Sequence, residues 1–168
     1  MSVLEIVKYP DPILRHKCAE IERIDDAIRR LAVDMAETMY DAPGVGLAAP
    51  QVGVSDRICL AYIQRKQVAL INPMITWKSE QEVLGEEGCL SLPGVWLKVL
   101  RAKEIVVQFT NYSGKSLELT LKDFEARVIQ HEVDHLNGIL ILDYLPDRAE
   151  VIQEEADDER IKIIVSKG

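Results

Sequence analysis

The sequence predicts a single α+β domain. Strand-like segments gather in the middle of the chain and helices follow them, an order that suits α+β rather than alternating βαβ units. The 168 residues correspond to about one domain, and 48% hydrophobic with 29% charged residues is globular usage that can build one sizeable core. Two segments, residues 25–40 and 124–137, carry helical periodicity, while the stretches between them alternate or run apolar as strands do.

In chain order, Asp11-Pro12 reads as a turn and helix start with Ile13 and Leu14 facing inward. Residues 25–40 place Ile28, Leu31, Ala32, Met35 and Met39 at steps of three and four, which marks an amphipathic helix. Gly, Ala and Pro dominate residues 42–53, which predicts a loop or irregular strand. Residues 57–64 and 67–72 read as two strands joined near Arg65-Lys66. Further strands are expected at 82–84, 95–100, 104–110 and 116–121, the last two joined by the turn Asn111-Tyr112-Ser113-Gly114. The helix at 124–137 has Asp123 as N-cap and Gly138 just past its end. Residues 139–142 suit a short extended segment, and Pro146 suits the start of a final helix running to about Lys162.

Composition excludes several functions. A net charge of −8 opposes general nucleic-acid binding, because phosphates need clustered cations. The longest apolar run, Ile58–Ile63, is far short of the ~18 residues that span a bilayer. The first ten residues lack a basic region followed by an apolar stretch, so no signal peptide is expected. Three widely spaced cysteines argue against a disulfide framework and for a reducing compartment, hence a cytoplasmic location. No large uncovered apolar stripe is evident, so a monomer is expected.

The chemistry concentrates at His131-Glu132-Val133-Asp134-His135, an H-E-x-x-H motif holding two of the three histidines. Residues four apart share a helical face, so both imidazoles can point at one metal ion. Glu132 stands beside them, near enough to act on water without being a ligand. A catalytic site of this type normally has a third protein ligand and an open position. Downstream, Asp143 and Glu150 are candidates; upstream, Cys89 in Glu87-Gly88-Cys89-Leu90-Ser91 would complete a His₂Cys set. Cys18 and Cys59 read as small buried thiols. Gly44-x-Gly46-x-x-Ala49 fits a dinucleotide fingerprint by its letters alone. It follows a helix rather than a strand, and Pro50 disrupts any helix starting there. The glycines instead suit close approach of backbone to a ligand, with the Gln51 amide as a neutral donor.

Gly44-Val45-Gly46-Leu47-Ala48-Ala49-Pro50-Gln51, Glu87-Gly88-Cys89-Leu90-Ser91 and His131-Glu132-Val133-Asp134-His135-Leu136 together resemble the three signature motifs of the peptide deformylases, in order and spacing. The resemblance covers the chain from Pro10-Asp11-Pro12 to about Leu145. It implies antiparallel strands around a central helix carrying both histidines. It implies hydrolysis of the formyl group from N-formylmethionyl nascent peptides, releasing formate. The implied metal ligands are Cys89, His131 and His135. The implied ion is Fe²⁺ in vivo, with Zn²⁺, Ni²⁺ or Co²⁺ able to occupy the site. The resemblance further implies Glu132 as the proton-transfer group, with the Gln51 side chain and the Leu90 N–H donating to the formyl oxygen. Gly44, Val45 and Gly46 would meet the peptide backbone. Phe124 and Val128, on the histidine stripe, would floor the methionine pocket. Glu87 and Arg101 match a pair that braces the site, which matters only if buried. Trp96 stands where relatives vary and either lines the substrate entrance or caps the sheet. The alternatives are another metallopeptidase or amidase using the same His₂Cys site, and a non-catalytic member of the family. Residues 147–162 hold seven acidic and three basic side chains. An acidic tail is repelled by ribosomal RNA, so the expected contact with the ribosome is at most transient proximity, not docking through a basic tail.

Overall fold

In a computed structural model, which describes residues 2–154, the chain forms two antiparallel sheets around one buried helix. Strands β1 (Gly46–Ala48), β2 (Ile58–Ile63), β3 (Lys66–Lys78), β6 (Glu104–Thr110) and β7 (Ser116–Lys122) make a five-stranded sheet in the order β1-β2-β3-β6-β7. Strands β4 (Glu82–Cys89), β5 (Leu92–Ala102) and β8 (Ala149–Glu154) make a second sheet in the order β4-β5-β8. Helix α1 spans Asp26–Asp41 and helix α2 spans Asp123–Leu136.

The uninterrupted apolar run Ile58–Ile63 has a physical explanation. Successive residues of a strand face opposite sides, and β2 is covered on both. Ile58 and Leu60 pack with Met35 and Met39 of α1, while Cys59 and Ala61 pack with Ile129, Val133 and Leu136 of α2. Helix α1 starts where expected, with the Asp25 carboxylate accepting from the Ile28 N–H at 3.0 Å. The β2–β3 turn falls at Gln64-Arg65, whose φ values of 50° and 66° are the left-handed pair that a tight two-residue hairpin needs. At the β6–β7 turn the Asn111 side chain accepts from the Ser113 and Lys115 N–H groups, as its position predicts.

Residues 42–53 are irregular as expected, holding the short edge strand β1 and a 3₁₀ turn, Ala49–Val52. Several other expectations are corrected. Strand β4 extends five residues beyond 82–84 to Cys89, because its acidic and glycine residues weaken the local strand signal while full pairing with β5 sets the length. Cys89 is therefore the last residue of a strand. Asp123 lies inside α2, and no side chain caps that helix at Lys122. Ile141–Tyr144 is a 3₁₀ turn, not an extended segment. The predicted final helix gives way to β8 over Ala149–Glu154, where the chain adds an edge to β5; residues 155–168 lie outside the described residues. Tertiary pairing overrides the helix start that Pro146 suggests.

Gly138 ends α2 as expected, with φ +74°. A Cβ at this position would lie 2.5 Å from the Arg15 carbonyl oxygen. Gly138→Ala combines a left-handed φ with a backbone clash, so we expect a loss of about 1–3 kcal/mol in urea unfolding. Unchanged stability would mean that this turn relaxes without strain.

Candidate metal centre

Helix α2 has two working faces. Ala126, Ile129, Val133 and Leu136 pack into the five-stranded sheet, which fixes the rotation of the helix. That rotation turns Val128, His131 and His135 toward the end of β4 and its hairpin with β5. The His131 and His135 Nε2 atoms lie 3.2 Å apart, and Cys89 Sγ lies 3.4 Å from His135 Nε2. The three ligand atoms all fall within 4.8 Å of one another. A tetrahedral ion with bonds of about 2.0–2.1 Å to nitrogen and about 2.3 Å to sulfur separates its donors by roughly 3.3–3.6 Å. The spacing therefore fits a single divalent ion. Two imidazole lone pairs and a sulfur facing one another this closely repel unless a cation lies between them. Asp143 and Glu150 do not join this set; Asp143 pairs with Arg15 instead.

The second layer is a buried charge cluster. Glu87 accepts from Arg101 through both carboxylate oxygens at 2.8 Å, from Arg127 at 2.8 Å, and from His131 Nδ1 at 2.8 Å. A carboxylate only accepts, so this contact puts the His131 proton on Nδ1 and leaves Nε2 free as a ligand. Arg101 also donates to Asp134 at 2.5 Å, and the Tyr144 hydroxyl donates to the same carboxylate at 2.6 Å. Burial opposes charge on Glu87, but hydrogen bonds from Arg101 and His131 outweigh it and hold the carboxyl well below the usual carboxylate range. The expected Glu87–Arg101 pair is thus present and buried.

Glu132 is 4% exposed, and its Oε1 has no hydrogen-bond partner among the described residues. Burial pushes its carboxyl up to about 7, against the pull of His131. Such a group can both take and return a proton near neutral pH. Glu132 has room because residue 46 is glycine: a Cβ there would lie 2.5 Å from Glu132 Oε2. Gln51 is 2% exposed. Its Oε1 accepts from the Ala48 N–H at 3.0 Å, which turns its amide nitrogen toward Cys89 Sγ at 3.6 Å and Ser91 Oγ at 3.3 Å. The amide is therefore presented to the site as a donor.

A cavity of about 570 Å³ opens over these groups, and Gly44, Val45, Gly46 and Leu90 line it. Val128 is buried in its wall, but Phe124 is 59% exposed. Phe124 thus stands at the rim and not the floor, because it belongs to the first turn of α2, where the helix emerges at the surface.

Sequence reasoning missed the supporting side chains. Arg127 reaches from α2 across the hairpin to the carbonyls of Val83 and Val99 at 2.6 and 2.7 Å. Gln130 clasps both the N–H and the carbonyl of Ala102. The one available signal is a cation and an amide inside an otherwise apolar helix stretch, Ala126-Arg127-Val128-Ile129-Gln130. Glu87→Ala leaves two buried guanidiniums short of an acceptor, so unfolding free energy should drop by about 3–5 kcal/mol. In Glu87→Gln, metal titration should show affinity weakened about 10–100-fold. Wild-type affinity in Glu87→Gln would separate this cluster from the metal centre.

Comparison with known proteins agrees on one family. Residues 3–151 match the family model described as polypeptide deformylase. The peptide deformylase of Desulforudis audaxviator is 47% identical over 144 residues, 85% of this chain and 94% of that protein. That of Dictyoglomus turgidum is 45% identical over 153 residues, covering 91% and 99%. Among solved structures, a peptide deformylase from Ehrlichia chaffeensis in complex with actinonin superposes with TM-score 0.87 at 36% identity, covering 99% of this chain and 96% of that one. The peptide deformylase from Thermus thermophilus superposes with TM-score 0.81 at 47% identity, covering 86% of each chain.

Proposed function

This chain belongs to the polypeptide deformylase family, and from that membership we propose how its own residues carry out the family's metal-dependent hydrolysis of N-formylmethionyl peptides. The convergence of Cys89, His131 and His135 beside Glu132 is the observation that supports the assignment of roles. Cys89, His131 and His135 would hold a divalent ion, which would supply Lewis-acid polarisation and make water more acidic. Glu132 removes a proton from the attacking water, holds it on its carboxyl, and delivers it to the amide nitrogen as the C–N bond breaks. Formate and a free amine result. The Gln51 amide and the Leu90 N–H donate to the formyl oxygen as it gains charge, and each such donor contributes about 10²–10³ in rate.

Among the described residues, edge strand β1 pairs with β2 alone, so the Val45 and Gly46 backbone can pair with the peptide as an added strand, close to Gly44. Val128 and Phe124 receive the methionine side chain, the first at the wall and the second at the mouth. We assign Fe²⁺ as the ion in vivo, with Zn²⁺, Ni²⁺ or Co²⁺ able to replace it. The reading extends to a cytoplasmic monomer acting on nascent peptides: the unpaired cysteines suit a reducing compartment, and the metal ligands need no residue from a second chain. No helix among the described residues is long and apolar enough to cross a membrane. The seven acids and three bases of residues 147–162 oppose docking on RNA through that segment.

With formyl-Met-Ala-Ser as substrate, Glu132→Ala should lose about 10²–10⁴-fold in formate release or more, while its metal content stays at the wild-type level. Full activity in that variant would remove Glu132 from the proton path. Aerobic purification should lower activity, and Ni²⁺ or Co²⁺ should restore it; air-stable, undiminished activity would contradict iron as the native ion.

A further inference from the structure

The cavity over the metal ligands has an apolar rim, and one part of it takes no share in the hydrolysis. Val45, Phe124 and Trp96 are 47%, 59% and 47% exposed, and all three border the cavity. Val45 and Phe124 already have roles in holding the peptide and its methionine. Trp96 does not.

The placement of Trp96 follows from strand geometry. Its neighbours Val95 and Leu97 are buried at 1% and 0%, so alternation along β5 sends the indole to the opposite face. Across the hairpin it pairs with Gly88, the residue before Cys89. The indole lies against the Gly88 backbone: a Cβ there would fall 2.6, 2.8 and 2.9 Å from three of its ring carbons. The ring therefore rests on the backbone beside the metal ligand, at the border of the cavity, with nearly half of the residue exposed to solvent. The charged side chains that border the cavity away from the catalytic and buried groups are Lys8 and Glu86, which carry opposite signs and select no net charge.

An extended peptide advances about 3.3 Å per residue. With the formyl group held at Glu132 and the methionine side chain at Val128, the one or two residues that follow leave the site across its rim. We propose that Trp96 is a specificity-determining shelf for those residues, favouring an aromatic or large apolar side chain immediately after formylmethionine or one position later. Covering the exposed indole removes apolar surface from water and adds ring contacts that a small polar side chain does not make. This proposal rests on the deformylase reading of the same site.

The test measures kcat and KM of the metal-loaded enzyme on formyl-Met-Ala-Ser, formyl-Met-Phe-Ser and formyl-Met-Ala-Phe, by formate release. At least one aromatic peptide should exceed the reference by about 3- to 10-fold in kcat/KM, the size of one aromatic contact, with the gain in KM. Trp96→Ala should bring the ratio to within about 2-fold, and Trp96→Phe should keep most of it. Equal kcat/KM for all three peptides in the wild type overturns the proposal, whatever the variants do. So does a preference that survives in Trp96→Ala. Turnover without preference leaves the deformylase reading intact, whereas no turnover of any formyl peptide defeats that reading and the shelf together.

Discussion

Everything at the site depends on holding one helix against one hairpin. Two ligands come from α2 and the third from the end of β4, more than forty residues earlier in the chain. Donor atoms 3.2–3.4 Å apart leave little tolerance for sliding between these elements. The Glu87 carboxylate supplies the constraint. It sits on β4, binds a guanidinium from β5 and another from α2, and holds the ring of a metal ligand. Burying these charges is costly in solvation, and close, fully satisfied hydrogen bonds offset that cost. The geometry they impose is specific: any shift of β4 along α2 would break several charged contacts at once.

The two faces of α2 divide the labour of fold and chemistry. Its apolar stripe packs on a sheet whose strand β2 is itself covered on both sides, which fixes the rotation of the helix. The opposite face then brings polar groups into an interior poor in water. There a carboxyl rises to about 7, and an amide is aimed by a single backbone contact. Glu132 Oε1 has no protein partner among the described residues, so this buried oxygen faces the cavity free to meet water or substrate, as expected where chemistry is carried out. Gly46 shows the same economy of space, since even one methyl group would displace that carboxyl.

The parts of this arrangement visible in the sequence are those with local signatures. The spacing of His131 and His135, the apolar period of α1, and the Asn111–Gly114 turn each follow from neighbours within one or two turns of chain. Cys89 is legible only as one of three candidate ligands until the three motifs are read together. What stays hidden is non-local. The length of β4 depends on pairing with β5, and the edge strand β8 replaces a helix because β5 offers it hydrogen-bonding partners. Arg127 and Gln130 carry no motif; their meaning depends on what lies across the interface. Phe124 shares a stripe with the histidines, yet periodicity does not tell how deep the helix start is buried.

The central claim is that one sulfur and two ring nitrogens hold a single ion in this protein. X-ray absorption at the metal edge, on anaerobically purified protein, tests it most directly. One ion per chain, with one sulfur scatterer and two imidazoles, and loss of the sulfur shell in Cys89→Asp, is the predicted result. A first shell of oxygen and nitrogen alone in the wild type, or a fully active protein containing no metal, would contradict it.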